Sequence, residues 1–510
     1  MVMEIPDDIQ QFVFLDDSRP DTRPVLWVDE NRVTHRRLQS FVSNGHESGM
    51  ALDVRPVSLT RIHQMQQDGE QHPDTATQEA DTAEQTRVIH LTRDGNKIGA
   101  SDIHVEVRKP VGKSGKGIAK IFVRVNGDLQ IFDSLSEAEG MKLVRTIFES
   151  MCDSRSESSF SENMPQDARL SPGYLEKAGL FAARYLHIPT IFGLKVVMRL
   201  IPHDDGELIS LDKQGFLPEQ VSIIRELNDS PSGMMVTSGP TGSGKSTTMR
   251  TVCRMYIDST HGTKCLLTVE DPVEGNIEGA VQCSMTTDQW DRFHAASVRA
   301  DPDAMMVGEA RDTRSAHTAV ITAQAGHPTY CTTHTDDPFG ILDRFGSFGI
   351  EDDLLYNPRV FSCLISQRLV QRLCPHCSLT WDEAEKTLTP EQQARVRQYF
   401  PDVTPLRFRN YKGCPHCIRE MNNATFSAGV AGRTVIAEVV RTDARMLTVF
   451  REKGRLAARQ YWIDNGGLTL LMHLMRYVLK GEVDPLHGHS VVALDEDVRT
   501  SLKETAGCAA

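Results

Sequence analysis

The sequence contains no run of about 18 or more apolar residues, so no helix able to span a bilayer is expected. Its opening residues, MVMEIPDDIQQFVFLDDSRP, are acidic and lack the basic-then-apolar order of a signal peptide, which makes a cytosolic chain the expectation. Positive charge is in short supply: Lys and Arg number 56 against 69 Asp and Glu, a net charge of −13. Phosphate backbones demand clustered cations, so wholesale nucleic-acid binding is disfavoured, although a local basic patch is not. Between 64 and 86 there is no Lys or Arg and almost nothing apolar. Such a stretch cannot bury enough surface to offset its ordering entropy, so residues 64–87 read as an acidic flexible linker and a domain boundary. Disulfides are not expected either. Eleven cysteines in a cytosolic chain point to metal ligation or buried thiols.

In bulk the chain is ordinary: 510 residues, 39% apolar and 25% charged, suit a globular protein of about three domains. Residues 1–63 carry no assignable role, although VLWVDENRVTHRRLQSFV suggests a strand followed by a helix. From 88 to 205 a small α+β domain is expected. RVIHLT, SDIHVEVRK and GIAKIFVRV alternate as half-buried strands do, Asn126-Gly127 is a hairpin signal, SEAEGMKLVRTIFESM has helical spacing and GLKVVMRLIP is a closing strand. From 206 to 485 the apolar runs GMMVTS, KCLLTVE, AMMVGE and PTYCTTH alternate with helical segments. That pattern implies an α/β domain whose parallel sheet is covered on both faces, with ligands at the carboxyl ends of the strands. AGRTVIAEVV follows as a strand, RMLTVFREKGRLAARQYWI and LTLLMHLMRYVLKG as helices, and 486–510 as a polar, solvated tail. His487 and His489 in that tail are too few for a metal site.

The chemistry centres on Gly239, Pro240, Thr241, Gly242, Ser243, Gly244, Lys245, Ser246 and Thr247, which satisfy G-x-x-x-x-G-K-[ST] after a strand-like run. The glycines let backbone N–H groups converge on phosphate oxygens at a helix N-terminus. Lys245 would reach the β- and γ-phosphates of ATP, and Ser246 would hold Mg²⁺. KCLLTVE ends in Glu270-Asp271 and AMMVGE in Glu309. Two acidic strand ends beside a phosphate loop supply a carboxylate for the metal and another for the attacking water, and which serves which is open. Gly308 stands where many P-loop enzymes place an Asp. The third strand end, AGHPTYCTTHTDD, carries His327 and His334, balanced between polar contact and catalysis. Cys374-Pro-His-Cys377 and Cys414-Pro-His-Cys417 repeat one tetrapeptide, the spacing of a closed structural Zn²⁺ site. The segment between them, EAEKTLTPEQQARVRQYF, reads as a helix, and the whole as a small knob on the P-loop domain. The other seven cysteines read as buried thiols.

Taken in order, SDIHVE, VRVNGDL, PQDAR, GPTGSGKST, TVEDPVE, DPDAMMVGEARD, AGHPTYCTTHTDDP, QRLVQRLCPHC and GRTVIAEVV resemble the secretion ATPase superfamily of type II secretion, type IV pilus and conjugative machines. The likeness runs from about residue 100 to 485. It implies a RecA-like P-loop domain preceded by a small PAS-like α+β domain and carrying the Cys₄ insertion. It implies an ATP-driven homohexamer at the cytoplasmic face of a bacterial inner membrane, working on a platform protein and through it on pilins. It also supplies roles: Glu270 as general base, Glu309 as the Walker B acid, His327 and His334 as the His box, and Arg184 and Arg199 as arginines approaching the phosphates. The tetracysteine motif resembles assembly ATPases more than pilus-retraction ATPases, and the divergent front end suits a conjugative thin-pilus member. Asn126 before Gly127, Ser246 and THTDDP depart from the family's usual residues. Pilus retraction and a hexameric nucleic-acid translocase are the alternatives. A catalytically silent ring is disfavoured by Lys245, Glu270 and Glu309, and no LSGGQ-like signature of ABC ATPases is present.

Overall fold

The computed structural model describes residues 13–16, 25–29, 38, 41–43, 53–57, 62, 82–110, 116–153, 159–203, 208–285, 296–297 and 299–500. They fall into two units, Met1–Thr82 and Ala83–Ala510. The first holds a three-stranded sheet of β1 (Val13–Asp16), β2 (Val25–Asp29) and β3 (Asp53–Val57). β1 and β2 are antiparallel, β2 and β3 parallel, over a core of Val13, Leu26, Val28, Leu38 and Phe41. Most of the stretch read as a linker lies outside the described residues.

The second unit opens inside that stretch, with a helix over Ala83–Lys97. RVIHLT is therefore helical, not a strand. Val88, Ile89, Leu91 and Gly95 are all buried, a 3.6-residue period that six residues read alone disguise as alternation. The helix covers a six-stranded antiparallel sheet ordered β6-β5-β4-β9-β8-β7. Its strands are β4 (Ala100–Arg108), β5 (Ile118–Val125), β6 (Asp128–Ser136), β7 (Gln166–Arg169), β8 (Leu180–Thr190) and β9 (Gly193–Pro202). The turn Asn126-Gly127 has both φ values positive, 51° and 96°, as a two-residue hairpin requires. SEAEGMKLVRTIFESM becomes a helix over Glu137–Thr146, started by a reciprocal Ser136–Glu139 cap, with a π-helical turn at Ile147–Met151. β7 and β8 carry no turn dipeptide or strong alternation, and the sequence reading passed over them.

The larger lobe is a seven-stranded sheet ordered β12-β11-β13-β14-β10-β15-β18. The strands are β10 (Gly233–Ser238), β11 (Leu266–Glu270), β12 (Val281–Ser284), β13 (Ala304–Val307), β14 (Pro328–Thr332), β15 (Phe361–Leu373) and β18 (Val430–Arg441). All neighbours are parallel except β15 and β18. The apolar runs are continuous because both faces are buried. Met234, Val236, Val269 and Val307 pack into one cluster, while Met235, Leu266, Met306 and Tyr330 pack into another. RMLTVFREKGRLAARQYWI is two helices, Ala444–Lys453 and Arg455–Asp464, split at Gly454 with φ 82°. The expected single helix between the cysteine pairs is likewise two, Trp381–Ala384 and Pro390–Tyr399, because Thr389 caps a fresh start.

The tail is not wholly solvated. Pro485–Val491 is helical, Val492 and Leu494 are buried, and Asp497 pairs with Arg459. Of the cysteines read as buried thiols, Cys253, Cys331 and Cys363 are buried, Cys152, Cys265 and Cys283 are half-buried, and Cys508 lies outside the described residues. Among the described residues no helix is long and apolar enough to cross a membrane.

Candidate functional site

β10 runs straight into the phosphate loop and then the helix Lys245–Ser259. Gly239 and Gly244 have φ values of 143° and 87°, and a Cβ on Gly239 would lie 2.3 Å from the Gln367 carbonyl oxygen. Gln367 in turn donates from Nε2 to the Ser243 carbonyl at 2.8 Å, so β15 holds the loop from beneath. Lys245 Nζ folds back on the loop, donating to the carbonyls of Gly239 (2.8 Å) and Pro240 (3.1 Å). Burial draws its pKa down to about 8, partly opposed by Glu309 and Glu274.

The strand ends bring carboxylates to the same place. Glu270, at the end of β11, is buried, and burial raises its pKa. Its Oε1 accepts from Thr268 Oγ1 (2.7 Å) and Gln282 Nε2 (3.1 Å). A Cβ at Gly308, just after β13, would lie 3.2 Å from Glu270 Cγ, so any side chain there would have to shift the end of β11 slightly. Glu309 accepts from Arg311 Nε at 2.8 Å and lies 2.8 Å from His334 Nε2. The other ring nitrogen of His334 is 3.4 Å from Lys245 Nζ. His334 thereby bridges the loop lysine and the β13 acid.

His327 is elsewhere. It precedes β14 whereas His334 follows it, so the strand separates them. His327 lines a second cavity of about 640 Å³ with Asn228, Tyr256, Lys264 and Asp303. The expectation that both histidines share one site does not hold, because a parallel strand sends its two ends to opposite edges of the sheet.

The small lobe faces the loop with one row of charge. Pairing across five strands aligns Arg124 (β5), Asp102 (β4), Arg199 (β9), Arg184 (β8) and Arg169 (β7). Arg199 Nε donates to Asp102 at 3.2 Å, and Arg169 Nη2 donates to Asp271 at 3.1 Å. Arg184 Nη2 donates to Glu274 Oε1 at 2.9 Å, and Ser246 Oγ donates to Glu274 Oε2 at 2.7 Å. Burial lowers the pKa of Arg184. Glu274 thus links the phosphate loop to the small lobe. It, Arg169 and Arg311 lie within TVEDPVE, PQDAR and GEARD, yet only strand pairing and loop closure mark them as site residues.

The loop, Glu270, Glu274, Glu309, His334, Arg184 and Arg199 line a cleft of about 1020 Å³ between the lobes. Ser243 Oγ and Arg184 Nε are buried there with no hydrogen-bond partner among the described residues, as donors to a bound anion would be. The oxygens of Ser246 and Glu274 are the hard donors that suit Mg²⁺. At the far end the cleft is walled by the Asn126–Asp128 turn, Gln371 and His487, the last from the supposed tail.

The four cysteine Sγ atoms lie within 4.8 Å of one another. Cys374–Cys414, Cys377–Cys417 and Cys414–Cys417 are 3.7, 3.8 and 3.8 Å apart. A tetrahedral zinc with bonds of about 2.3 Å requires sulfur separations of about 3.8 Å. The residues fit that ion.

The family model for the Type II/IV secretion system protein (T2SSE) matches residues 78–492. The chain belongs to this family. Within it, the chain is similar to the type IV pilus assembly ATPase PilB of Myxococcus xanthus, 31% identical over 418 residues, covering 80% of this chain and 68% of that one. It is also 31% identical over 324 residues to the putative type II secretion system protein E of Escherichia coli K12, covering 63% and 61%. The PilB of Acinetobacter baylyi is 31% identical over 374 residues, covering 71% and 58%. The chain therefore spans about three-fifths of the length of these last two relatives. In fold it is similar to the Legionella pneumophila ATPase DotB, with a TM-score of 0.51 at 18% identity, over 82% of this chain and 97% of that one.

Proposed function

We propose that this chain is an ATPase whose hydrolysis of ATP drives assembly of a type IV pilus, a conjugative thin pilus included, or of a type II secretion pseudopilus. The observation that carries the reading is the inter-lobe cleft, with the phosphate loop on one wall and an arginine row on the other. The larger lobe would be RecA-like and the smaller PAS-like. The motor would work as a homohexamer at the cytoplasmic face of a bacterial inner membrane, against a platform protein, with no direct nucleic-acid partner.

In the cleft, the N–H groups of Gly242, Ser243 and Gly244 and the Lys245 ammonium would bind phosphate oxygens. Ser246 and Glu274 would hold Mg²⁺, which would supply charge neutralisation at the phosphates. Glu270 would take the proton of the attacking water, a role that suits a carboxyl whose pKa burial has raised. Glu309 would anchor His334, which reports the phosphates to the next strand. Arg184 would exchange Glu274 for phosphate oxygens, so nucleotide would pull the small lobe onto the loop. The test is Mg²⁺-dependent ATP hydrolysis by the purified chain, lost in Lys245→Ala. A Lys245→Ala variant that still assembled pili or supported secretion would defeat the proposal.

A further inference from the structure

The tetracysteine module packs on the larger lobe, where Trp381, Phe400 and Phe408 share a core with Val370, Ile436 and Leu474, but it also reaches into the small lobe. β16 (Arg419–Met421) and β17 (Ala424–Phe426) leave the second cysteine pair as a hairpin and enter the small lobe. Phe426 is fully buried within the small lobe's own hydrophobic cluster, its ring 6.1 Å from that of Phe132. Arg419 donates to the Ile98 carbonyl at 2.6 Å.

The module also grips the cleft wall. Asn126 Nδ2 donates to Ser427 Oγ at 2.5 Å, and Arg409 Nη1 lies 2.7 Å from Asp128 Oδ2. Gln371 Nε2 donates to the Asn126 carbonyl (3.0 Å) and to Asp128 Oδ1 (2.9 Å), and its own oxygen accepts from Arg409. Gly429 ties this grip to the cysteines. Its N–H donates to Cys417 Sγ at 3.2 Å, and its carbonyl accepts from the Cys374 N–H at 3.0 Å.

We propose that the tetracysteine module is a clasp that holds the Asn126–Asp128 turn over the nucleotide cleft, so that metal at the cysteines and nucleotide at the loop stabilise one another. Metal fixes the ends of the 414–429 segment, and that segment carries both the Phe426 plug and Ser427. Releasing the cysteines frees the plug, and the cleft loses its far wall. Coupling of this kind is reciprocal: the factor by which zinc tightens nucleotide is the factor by which nucleotide tightens zinc.

The nucleotide arm of the test rests on the cleft reading above, whereas the exchange arm does not. Full-length protein, zinc-loaded or stripped by a chelator, is compared with Phe426→Ser and Arg409→Gln. A fluorescent ATP analogue with Mg²⁺ reports affinity, and hydrogen–deuterium exchange reports residues 118–136. Stripping should weaken nucleotide about tenfold, by the arithmetic of a site competent a tenth of the time, and speed exchange at the turn. Phe426→Ser should do the same with one zinc still bound, and saturating nucleotide should raise zinc affinity about tenfold. Should Phe426→Ser fail to fold, stripped protein and Arg409→Gln, which removes the contacts to Asp128, Gln371 and the Ala428 carbonyl, decide alone. Unchanged exchange and affinity in both would overturn the clasp. A protein that binds no nucleotide would refute the cleft reading instead, and exchange at 118–136 would still settle the clasp: faster supports it, unchanged overturns it.

Discussion

Lys245 should make nucleotide affinity fall with pH across a window where few lysines titrate. It is buried, its ammonium reaches two loop carbonyls and the His334 ring, and burial has drawn its pKa from the ordinary 10.5 to about 8. At that value it is about nine-tenths charged at pH 7 and about one-tenth charged at pH 9. Phosphate binds the ammonium and not the amine, so affinity follows the charged fraction. It should drop about tenfold from pH 7 to pH 9, with about one proton taken up per nucleotide at the upper end. Titration calorimetry in two buffers of different ionisation enthalpy, with saturating Mg²⁺, measures both quantities. Lys245→Arg keeps its charge throughout and should flatten the profile. Wild-type affinity constant from pH 7 to 9 without proton uptake would refute the reasoning.

The same shift bears on stability, with a definite sign. The folded pKa lies below the unfolded one, so the charged lysine destabilises the nucleotide-free fold below pH 8. That cost, about 3 kcal/mol, fades as pH rises from 8 to 10.5. Lys245→Met should therefore abolish turnover yet raise the unfolding midpoint at pH 7, by about 1–3 kcal/mol once its carbonyl hydrogen bonds are subtracted.

Three further outcomes follow from particular contacts. Gly308→Asp forces a Cβ into Glu270 Cγ at 3.2 Å and sets a second carboxylate beside it; it should cost about 1–3 kcal/mol in urea unfolding and move the pH–rate profile upward. Arg459→Ala strips a fully buried Glu438 of its counter-ion and leaves Asp497 only its Thr469 hydrogen bond; it should cost about 3–5 kcal/mol, read as a lowered unfolding midpoint. His334→Ala should lower ATP turnover about 10²-fold if its bridge orders the site, whereas His327→Ala, in the other cavity, should leave turnover at the wild-type rate.

The sequence disclosed whatever depends on neighbours in the chain. The phosphate loop, the Asn126-Gly127 turn and the four central apolar strands are each fixed by a few consecutive residues, and each is where local chemistry put it. Failure began where one short window admits two periods, as at RVIHLT, or where both ends of a strand carry suggestive residues, as at His327 and His334. Where register decides, residue type and spacing failed, and only the family resemblance supplied Arg184 and Arg199. Arg169, Arg184, Arg199 and Arg124 are scattered over 76 residues, and become one row only when β5, β4, β9, β8 and β7 pair in that order. The clasp is more distant still. Asn126 and Ser427 are 301 residues apart, and Ser427 belongs to no motif. The CPHC repeat announces a metal site, yet nothing in it names what the module holds. That depends on Phe426, one apolar residue among many until the small lobe's core closes around it. Residues that do chemistry were therefore legible from their type and spacing. Residues that set the distance between the two halves of the chemistry were not, because that distance is a property of two lobes and no single segment encodes it.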